Sequence, residues 1–437
     1  SVTIDSVLLS WIALQACLAM FAALASRSIR SFAALFAVVA VIEAFLFSRP
    51  WVGRLMLLSG GDDWLTYETY ARDLVLHGPL MTLGRPLGMG EPFYYQPLYP
   101  YVLAGLHWLF GEGFFAIVYI QRLLVAVSVA FVWRLTHVLF GARIGLVGLA
   151  VALVVLYDKL GPWAPILLGE IVFIPLVCAW ALSLIQLGEP STSEPSTGRI
   201  VYAGILGGLG TLSRSTLLLA WPLVGAVLIA VRVRHRPGPW SVTIAPVLAA
   251  FAIMLAVVGL ATARNWVVAH RFVPVTTTFS TDLLVGNRPP PSVTISPTPA
   301  DTGSLLARIA PDDNVRVVLE FARQAPRAFI RNLVNKALYV LGFFGAYTEE
   351  GRPVPILIAT WMAALLGAGL LVFAPVDAGI HGGARAIPGL IALSHFAALV
   401  LIFPHVYGDR LVLPFYALVL PYAAVAVSRI FPTMHKS

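Results

Sequence analysis

EIVFIPLVCAWALSLIQL, residues 170–187, begins with one acidic residue and continues without another charged side chain. A helix needs roughly 20 apolar residues to cross the hydrocarbon core of a bilayer, so this stretch predicts a transmembrane helix. The whole chain is similar in character, because 59% of its 437 residues are hydrophobic and only 11% are charged. Since helices satisfy every backbone hydrogen bond inside hydrocarbon, the sequence predicts an all-α polytopic membrane protein.

Comparable apolar runs recur along the chain and predict one domain, 1–437, containing about eleven transmembrane helices. Their approximate ranges are 7–25, 31–47, 114–133, 143–157, 170–187, 201–213, 215–231, 243–262, 354–372, 386–403 and 411–428. Arginine and lysine in short loops are typical of the cytoplasmic side of a membrane protein. Their distribution predicts an N-terminus outside the membrane and a C-terminus inside it.

This orientation brings four segments to the outer side of the membrane. They are a first external loop at 48–113, a second at 158–169, the turn at Arg214, and a large loop at 264–353. The apolar segments 97–110 and 331–347 carry polar or basic residues, and we expect them to be helices lying at the interface. Residues 188–199 are expected to form a flexible cytoplasmic linker.

Several classes of function are disfavoured by the composition. The net charge of +8 is expected from loop arginines that set topology and contact membrane lipid, so no nucleic-acid partner is predicted. The sequence contains no phosphate-binding Gly-rich loop and no dinucleotide motif, which argues against nucleotide or nucleotide-sugar use. Both cysteines, Cys17 and Cys178, lie in apolar runs and are expected to be packing residues.

Seven segments resemble, in order, the motifs of the GT-C glycosyltransferases. They are DDWLTYETYARDLVLHG (62–78), PFYYQPLYPYVLAGLHWLFGEG (92–113), IQRLLVA (120–126), LLGEIVF (167–173), GLGTLSRSTLLLAWP (208–222), RNWVVAHRFVPVTTTFSTDLLVGN (264–287) and YGDRLVLPFYALVLP (407–421). More narrowly, they resemble bacterial relatives of the protein O-mannosyltransferases and of the lipid A aminoarabinose transferase. The resemblance implies a GT-C bundle that moves a sugar, with inversion, from a polyprenyl-phosphate carrier to a lipid, glycan or protein acceptor. It also implies a bacterial cytoplasmic membrane protein whose active site faces the periplasm.

The acidic pair Asp62 and Asp63 provides the candidate catalytic carboxylates of the first external loop. In the family this loop opens with an acidic pair followed by Tyr and Ala at intervals of four, which Asp63, Tyr67 and Ala71 match. A carboxylate is a suitable acceptor for the proton of an attacking hydroxyl group, although an Asp before a helix also serves as an N-cap. Glu170 matches the family's second acidic position and is the third candidate catalytic residue, with a favourable helix-dipole interaction as the structural alternative.

Four basic residues are candidates for holding the carrier phosphate, because guanidinium groups bind phosphate in a bidentate manner. They are Arg214, Arg264, Arg410 and Lys159. Arg410 also has a structural alternative, an ion pair with the adjacent Asp409, and Lys159 has the alternative of reaching out to the membrane interface. Gln96 departs from the family pattern, since relatives often carry Lys at this position.

Six residues around the external loops are candidates for contacting the sugar or the acceptor. They are Trp64, Tyr67, Tyr94, Tyr95, Gln96 and His405. Tryptophan and tyrosine are also enriched at membrane interfaces for reasons of solvation alone.

No cofactor is predicted with assurance; if a divalent metal is used, Asp63, Glu170 and His405 are the expected ligands. The alternatives to the transferase are a glycan polymerase or ligase that uses a diphosphate-linked carrier, and a non-catalytic transporter of lipid or solute.

Overall fold

The computed structural model describes residues 63–80, 95–164, 166–188, 195–235, 239–287, 313–343, 354–373, 382–403 and 408–430. Within these ranges all regular elements are helices, which confirms the predicted all-α architecture. The longer helices are α1 (Asp63–His77), α2 (Leu98–Phe110), α3 (Phe114–Phe140), α4 (Ala142–Ala152), α5 (Glu170–Gly188), α6 (Thr197–Ser213), α7 (Ala220–His235), α8 (Ala245–Ala269), α9 (Thr278–Asn287), α10 (Asn314–Gln324), α11 (Pro326–Val340), α12 (Pro355–Phe373), α13 (Ile387–Leu401) and α14 (Gly408–Ile430). Shorter helical pieces are Leu153–Tyr157, Asp158–Leu160, Gly161–Trp163, Ser215–Leu219, Trp240–Thr243 and Gly382–Arg385.

Six helices in the described part of the chain are long and apolar enough to cross a membrane. They are Ala116–Phe140, Glu170–Gly188, Ser215–Arg234, Ala245–Ala269, Gly383–Leu401 and Arg410–Ile430. Shorter apolar helices cover Ala142–Leu156 and Pro355–Leu371. Each predicted span from 114–133 onward overlaps a helix. The predicted spans 7–25 and 31–47 lie outside the described residues, and the count of about eleven is not confirmed.

Helix α14 lies at the centre of the bundle and packs against α3, α4, α5, α12 and α13. In the most apolar stretch of α14, 94% of the residues are buried, whereas in that of α8, at the edge of the bundle, 33% are buried. Glycines allow close approach of neighbouring helices, as is common in membrane bundles. A Cβ added to Gly204 of α6 would lie 2.6 Å from the carbonyl oxygen of Ala250 in α8, and Gly208 one turn later is equally crowded.

Helices α1 and α2 belong to the predicted first external loop and pack against each other as an antiparallel pair. Glu68, early in α1, contacts His107 near the end of α2, while the hydroxyl group of Tyr101 in α2 donates to the carbonyl oxygen of Pro79 just after α1. The helix at 98–110 coincides with the predicted interfacial segment 97–110, and α11 overlaps the predicted segment 331–347. Residues 344–347 of that segment lie outside the described part.

Candidate active site

A buried carboxylate shared by two arginines marks the start of α5. Glu170 is the first residue of this helix and is only 3% exposed. Its Oε1 accepts a hydrogen bond from Nη2 of Arg214 and lies 3.7 Å from Nε of Arg410. Arg214 follows the last residue of α6, and Arg410 lies in the first turn of α14. The structure thus brings together three of the predicted site residues, two from the first turns of helices and one from the residue after a helix.

Arg214 still has an unused hydrogen-bond donor at this site. Its Nε is buried and has no hydrogen-bond partner among the described residues. Beside it, Oγ1 of Thr216 lies 3.4 Å from Nδ1 of His395, and Nε2 of His395 lies 3.0 Å from the carbonyl oxygen of Leu411. Because a carbonyl can only accept, the ring proton belongs on Nε2 and the Thr216 hydroxyl donates to Nδ1. His395 therefore joins α13 to α14 next to the arginine.

Tyr67, in the predicted first external loop, lies next to the residue that precedes this cluster. Its ring packs 5.1 Å from Tyr95 and 5.0 Å from Tyr99, centroid to centroid. A Cβ added to Gly169 would lie 3.7 Å from the Tyr67 hydroxyl oxygen, so this hydroxyl lies next to the residue that precedes the cluster. Asp63 is the first residue of the same helix, one turn before Tyr67. Tyr67 therefore brings the side chain of one α1 residue next to the N-terminal end of α5.

Gln121 in α3 is a positioning residue that the sequence analysis did not select. Its Nε2 donates to the carbonyl oxygens of Ala164 at 2.7 Å and Ile166 at 2.9 Å, and its Oε1 accepts from the Tyr99 hydroxyl. Burial, reinforced by the nearby Tyr67 and Glu170, raises the pKa of Tyr99 well above its usual value, so this hydroxyl remains a donor. Gln121 thus fixes the segment that leads into α5, and a polar residue in an apolar helix was the available signal.

A second buried carboxylate, Glu68, directly follows Tyr67 in α1 and was not predicted as a site residue. Its Oε1 accepts from Nε of Arg72 at 2.7 Å and its Oε2 faces Nε2 of His107 at 2.9 Å. The other ring nitrogen of His107 faces the carbonyl oxygen of Gly111 at 3.2 Å. The hydrogen bond with Glu68 raises the pKa of Arg72, with burial acting against it. These contacts tie α1 to the corner between α2 and α3.

Arg264, a predicted phosphate ligand, contacts the predicted first external loop. Its Nε donates to the carbonyl oxygen of Leu80 at 2.9 Å, and its Nη1 donates to Oδ1 of Asn265 at 2.8 Å. Burial raises the pKa of Tyr70 to about 12, although the nearby Arg264 charge opposes this shift. Arg264 thereby joins the end of α8 to the segment after α1, and its phosphate role stays a prediction.

The remaining predicted site residues fall into two groups. Trp64, Gln96 and Lys159 are partly buried, and the buried Nε1 of Trp64 has no hydrogen-bond partner within the described residues. Asp62, Tyr94 and His405 lie outside the described residues. No group of three or more His, Cys, Asp or Glu side chains in the described part could hold a metal ion. The predicted metal ligands include His405, which lies outside the described residues.

Comparison with known proteins gives a match for the middle of the chain. Residues 91–263, less than half of the sequence, match the family described as dolichyl-phosphate-mannose-protein mannosyltransferase. This match confirms the resemblance to GT-C glycosyltransferases that the order of the motifs predicted. It includes the predicted second external loop, Glu170 and Arg214, but neither Asp63 nor Arg410. No curated protein matches the chain.

Two solved structures show a distant similarity. One is the apo form of the Archaeoglobus fulgidus oligosaccharyltransferase, with a TM-score of 0.47 and 15% identity over 92% of this chain and 51% of that chain. The other is the same enzyme tethered through a disulfide bond to an acceptor peptide containing the NVT sequon, with a TM-score of 0.45 and 13% identity over 92% of this chain and 50% of that one. The chain thus spans about half the length of these structures.

Proposed function

We propose that this protein is an inverting glycosyltransferase that uses a polyprenyl-phosphate-linked sugar at the outer face of the bacterial cytoplasmic membrane. The acceptor is a lipid, a glycan or a protein. The observation that carries the proposal is the cluster in which Arg214 and Arg410 share Glu170, with the Nε donor of Arg214 buried and unpaired among the described residues. The family match over residues 91–263 supports the same class of reaction.

The unpaired Nε of Arg214 favours an anionic ligand. A buried donor without an acceptor costs about 1–3 kcal/mol, and native structures rarely leave such a donor unsatisfied. A phosphate oxygen would supply the missing acceptor, and a guanidinium group has the geometry to bind it. Glu170 then has the role of orienting the guanidinium groups, since its carboxylate already accepts from Arg214.

Asp63 is the proposed general base. In the reaction the acceptor hydroxyl oxygen attacks the anomeric carbon from the side opposite the phosphate, and its proton passes to the carboxylate of Asp63. The bond between the anomeric carbon and the phosphate oxygen breaks, and the carrier monophosphate leaves with the electron pair. The arginines stabilise the charge that develops on this phosphate. The position of Asp63 at the start of α1, one turn before Tyr67, supports this assignment.

The proposal is tested by comparing bound lipid with transfer activity in the wild type and in five variants. Mass spectrometry of lipid extracted from the purified protein identifies the carrier and tells a monophosphate from a diphosphate. Arg214→Gln should lose at least ten-fold of the bound carrier, because a hydrogen bond to a charged group contributes roughly 1.5–3 kcal/mol. Arg143→Gln, an exposed arginine at the start of α4, is the matched control and should retain it.

Asp63→Asn should retain the carrier but lose at least about 10²-fold in transfer rate, because positioned proton transfer contributes roughly 10²–10⁴. Arg214→Gln protein that retains as much prenyl phosphate as the wild type would contradict the phosphate site. Normal transfer by folded Asp63→Asn protein would remove the general base. Normal transfer by Asp62→Asn, Asp63→Asn and Glu170→Gln alike would favour a transporter.

A further inference from the structure

Helices α10 and α11 follow each other directly and have two different faces. One face is buried against the bundle, with Asn314, Val318 and Phe321 in α10 and Asn332, Lys336 and Val340 in α11. These positions recur at intervals of three or four residues, as expected for helices that lie along a surface. Neither helix is among those long and apolar enough to cross the membrane.

The opposite face combines exposed aliphatic residues with arginines. Leu319, Ile330 and Val334 are 51%, 59% and 50% exposed. The arginines Arg323, Arg327 and Arg331 are exposed between them at intervals of four residues. We call these six residues the arginine surface. Arginine beside aliphatic residues suits an exposed face at a membrane interface, because the stem of arginine lies along apolar material while its guanidinium group reaches the polar region.

The charges of the arginine surface are not neutralised within the described residues. Arg316, earlier in α10, pairs with Asp313 at 3.0 Å and with Glu320 at 3.8 Å. In contrast, Arg323, Arg327 and Arg331 have no ion pair in the described part of the chain. Helix α11 contains no acidic residue in its sequence, PRAFIRNLVNKALYV. The surface is therefore complementary to a row of negative charges bordered by apolar material.

We infer that the arginine surface binds anionic phospholipid through its headgroup phosphate, with the aliphatic residues inserted among the acyl chains. A bilayer leaflet provides both components at the required depth, since arginine can extend its guanidinium group to the phosphates while its stem stays in apolar surroundings. An acidic peptide would match the arginines but would leave the three aliphatic side chains exposed. The six residues of this lipid site are different from those of the proposed carrier site, so this inference does not depend on the proposed function.

The test measures lipid binding and not sugar transfer, so its outcome is independent of the proposed function. The full-length protein is purified in detergent and titrated with phosphatidylglycerol or phosphatidylcholine, and bound lipids are counted by native mass spectrometry. The wild type should bind phosphatidylglycerol more tightly than phosphatidylcholine. Each arginine near an anionic surface contributes a factor of about five, so the triple variant R323Q/R327Q/R331Q should weaken that binding at least ten-fold.

Two control variants separate this site from general electrostatic attraction. Arg316→Gln, on the same helix but paired with acidic residues, should leave the preference for phosphatidylglycerol within about two-fold of the wild type. The triple lysine variant at 323, 327 and 331 keeps the charge and should retain most of the preference. Equal loss in Arg316→Gln and in the triple glutamine variant would overturn the inference. It would also be overturned if the three arginines bound a polyglutamate peptide but not phosphatidylglycerol.

Discussion

The ion pair between Glu170 and Arg214 gives the sharpest test of the structure. Their side chains are 4% and 10% exposed, and Arg410 lies 3.7 Å from the same carboxylate oxygen. Removing one partner of a buried ion pair typically costs about 3–5 kcal/mol, because the other charge is left without compensation. Glu170→Gln should therefore destabilise the protein by roughly 3 kcal/mol. Arg214→Gln should cost less, because Arg410 still neutralises Glu170.

The double variant E170Q/R214Q should cost less than the sum of the single variants. Contacting residues of this kind show coupling energies of about 0.5–3 kcal/mol. The assay is reversible unfolding in mixed detergent micelles, with the free energy of unfolding measured for all four proteins. Glu112→Gln is the matched control, because Glu112 is 78% exposed and lies 3.6 Å from Nη1 of Arg72. An exposed ion pair of this kind contributes about 0–1 kcal/mol to stability. Additive effects, or a Glu170→Gln cost equal to that of Glu112→Gln, would refute the reasoning.

Three further predictions concern stability, each measured by unfolding or thermal denaturation. Burial lowers the pKa of Lys336 from 10.5 to about 7, so between these pH values the unfolded state binds more protons than the folded state. The free energy of unfolding should therefore rise with pH in this range, by at most about 1.4 kcal/mol per pH unit. Lys336→Met should flatten this rise, and an unchanged slope would contradict the prediction. Gln121→Leu removes the donors to two loop carbonyls and should cost about 2–4 kcal/mol; a neutral effect would mean that the loop is held otherwise. In α12, a Cβ added to Gly367 would overlap the carbonyl group of Tyr422 in α14, whereas a Cβ added to Gly369 would lie in open space. Gly367→Ala should therefore destabilise the protein, while Gly369→Ala should stabilise it by up to about 1 kcal/mol. Equal melting temperatures of the two variants would contradict this packing.

The positions of the helices could be predicted because their signal is local. The apolar run 170–187 is the helix Glu170–Gly188, and the interfacial segment 97–110 is the helix Leu98–Phe110. An apolar stretch of sufficient length forms a helix in a membrane whatever its neighbours are. The helix at 201–213 begins earlier, at Thr197, because polar residues continue its hydrogen bonding beyond the apolar run.

The contacts between side chains could not be predicted in the same way. For Arg410, the sequence offered only its neighbour Asp409 as a structural partner, whereas the bundle places it 3.7 Å from Glu170 on another helix. Which residues meet depends on the rotation and offset of each helix, and several packings bury the same apolar area. Gln121 and His107 were missed for a related reason, since one polar residue in an apolar run shows that a partner exists but not which one.

The backbone at the start of α5 explains why side chains must carry the proposed phosphate site. A helix N-terminus often binds anions through its free N–H groups. Here the N–H groups of Ile171, Val172 and Phe173 already donate to the carbonyl oxygens of Leu168 and Gly169, at 3.0 to 3.3 Å. These donors are therefore engaged in the turn that begins the helix. An anion at this position depends instead on the guanidinium groups that the carboxylate at position 170 holds in place, which is why we expect loss of Arg214 to affect carrier binding so strongly.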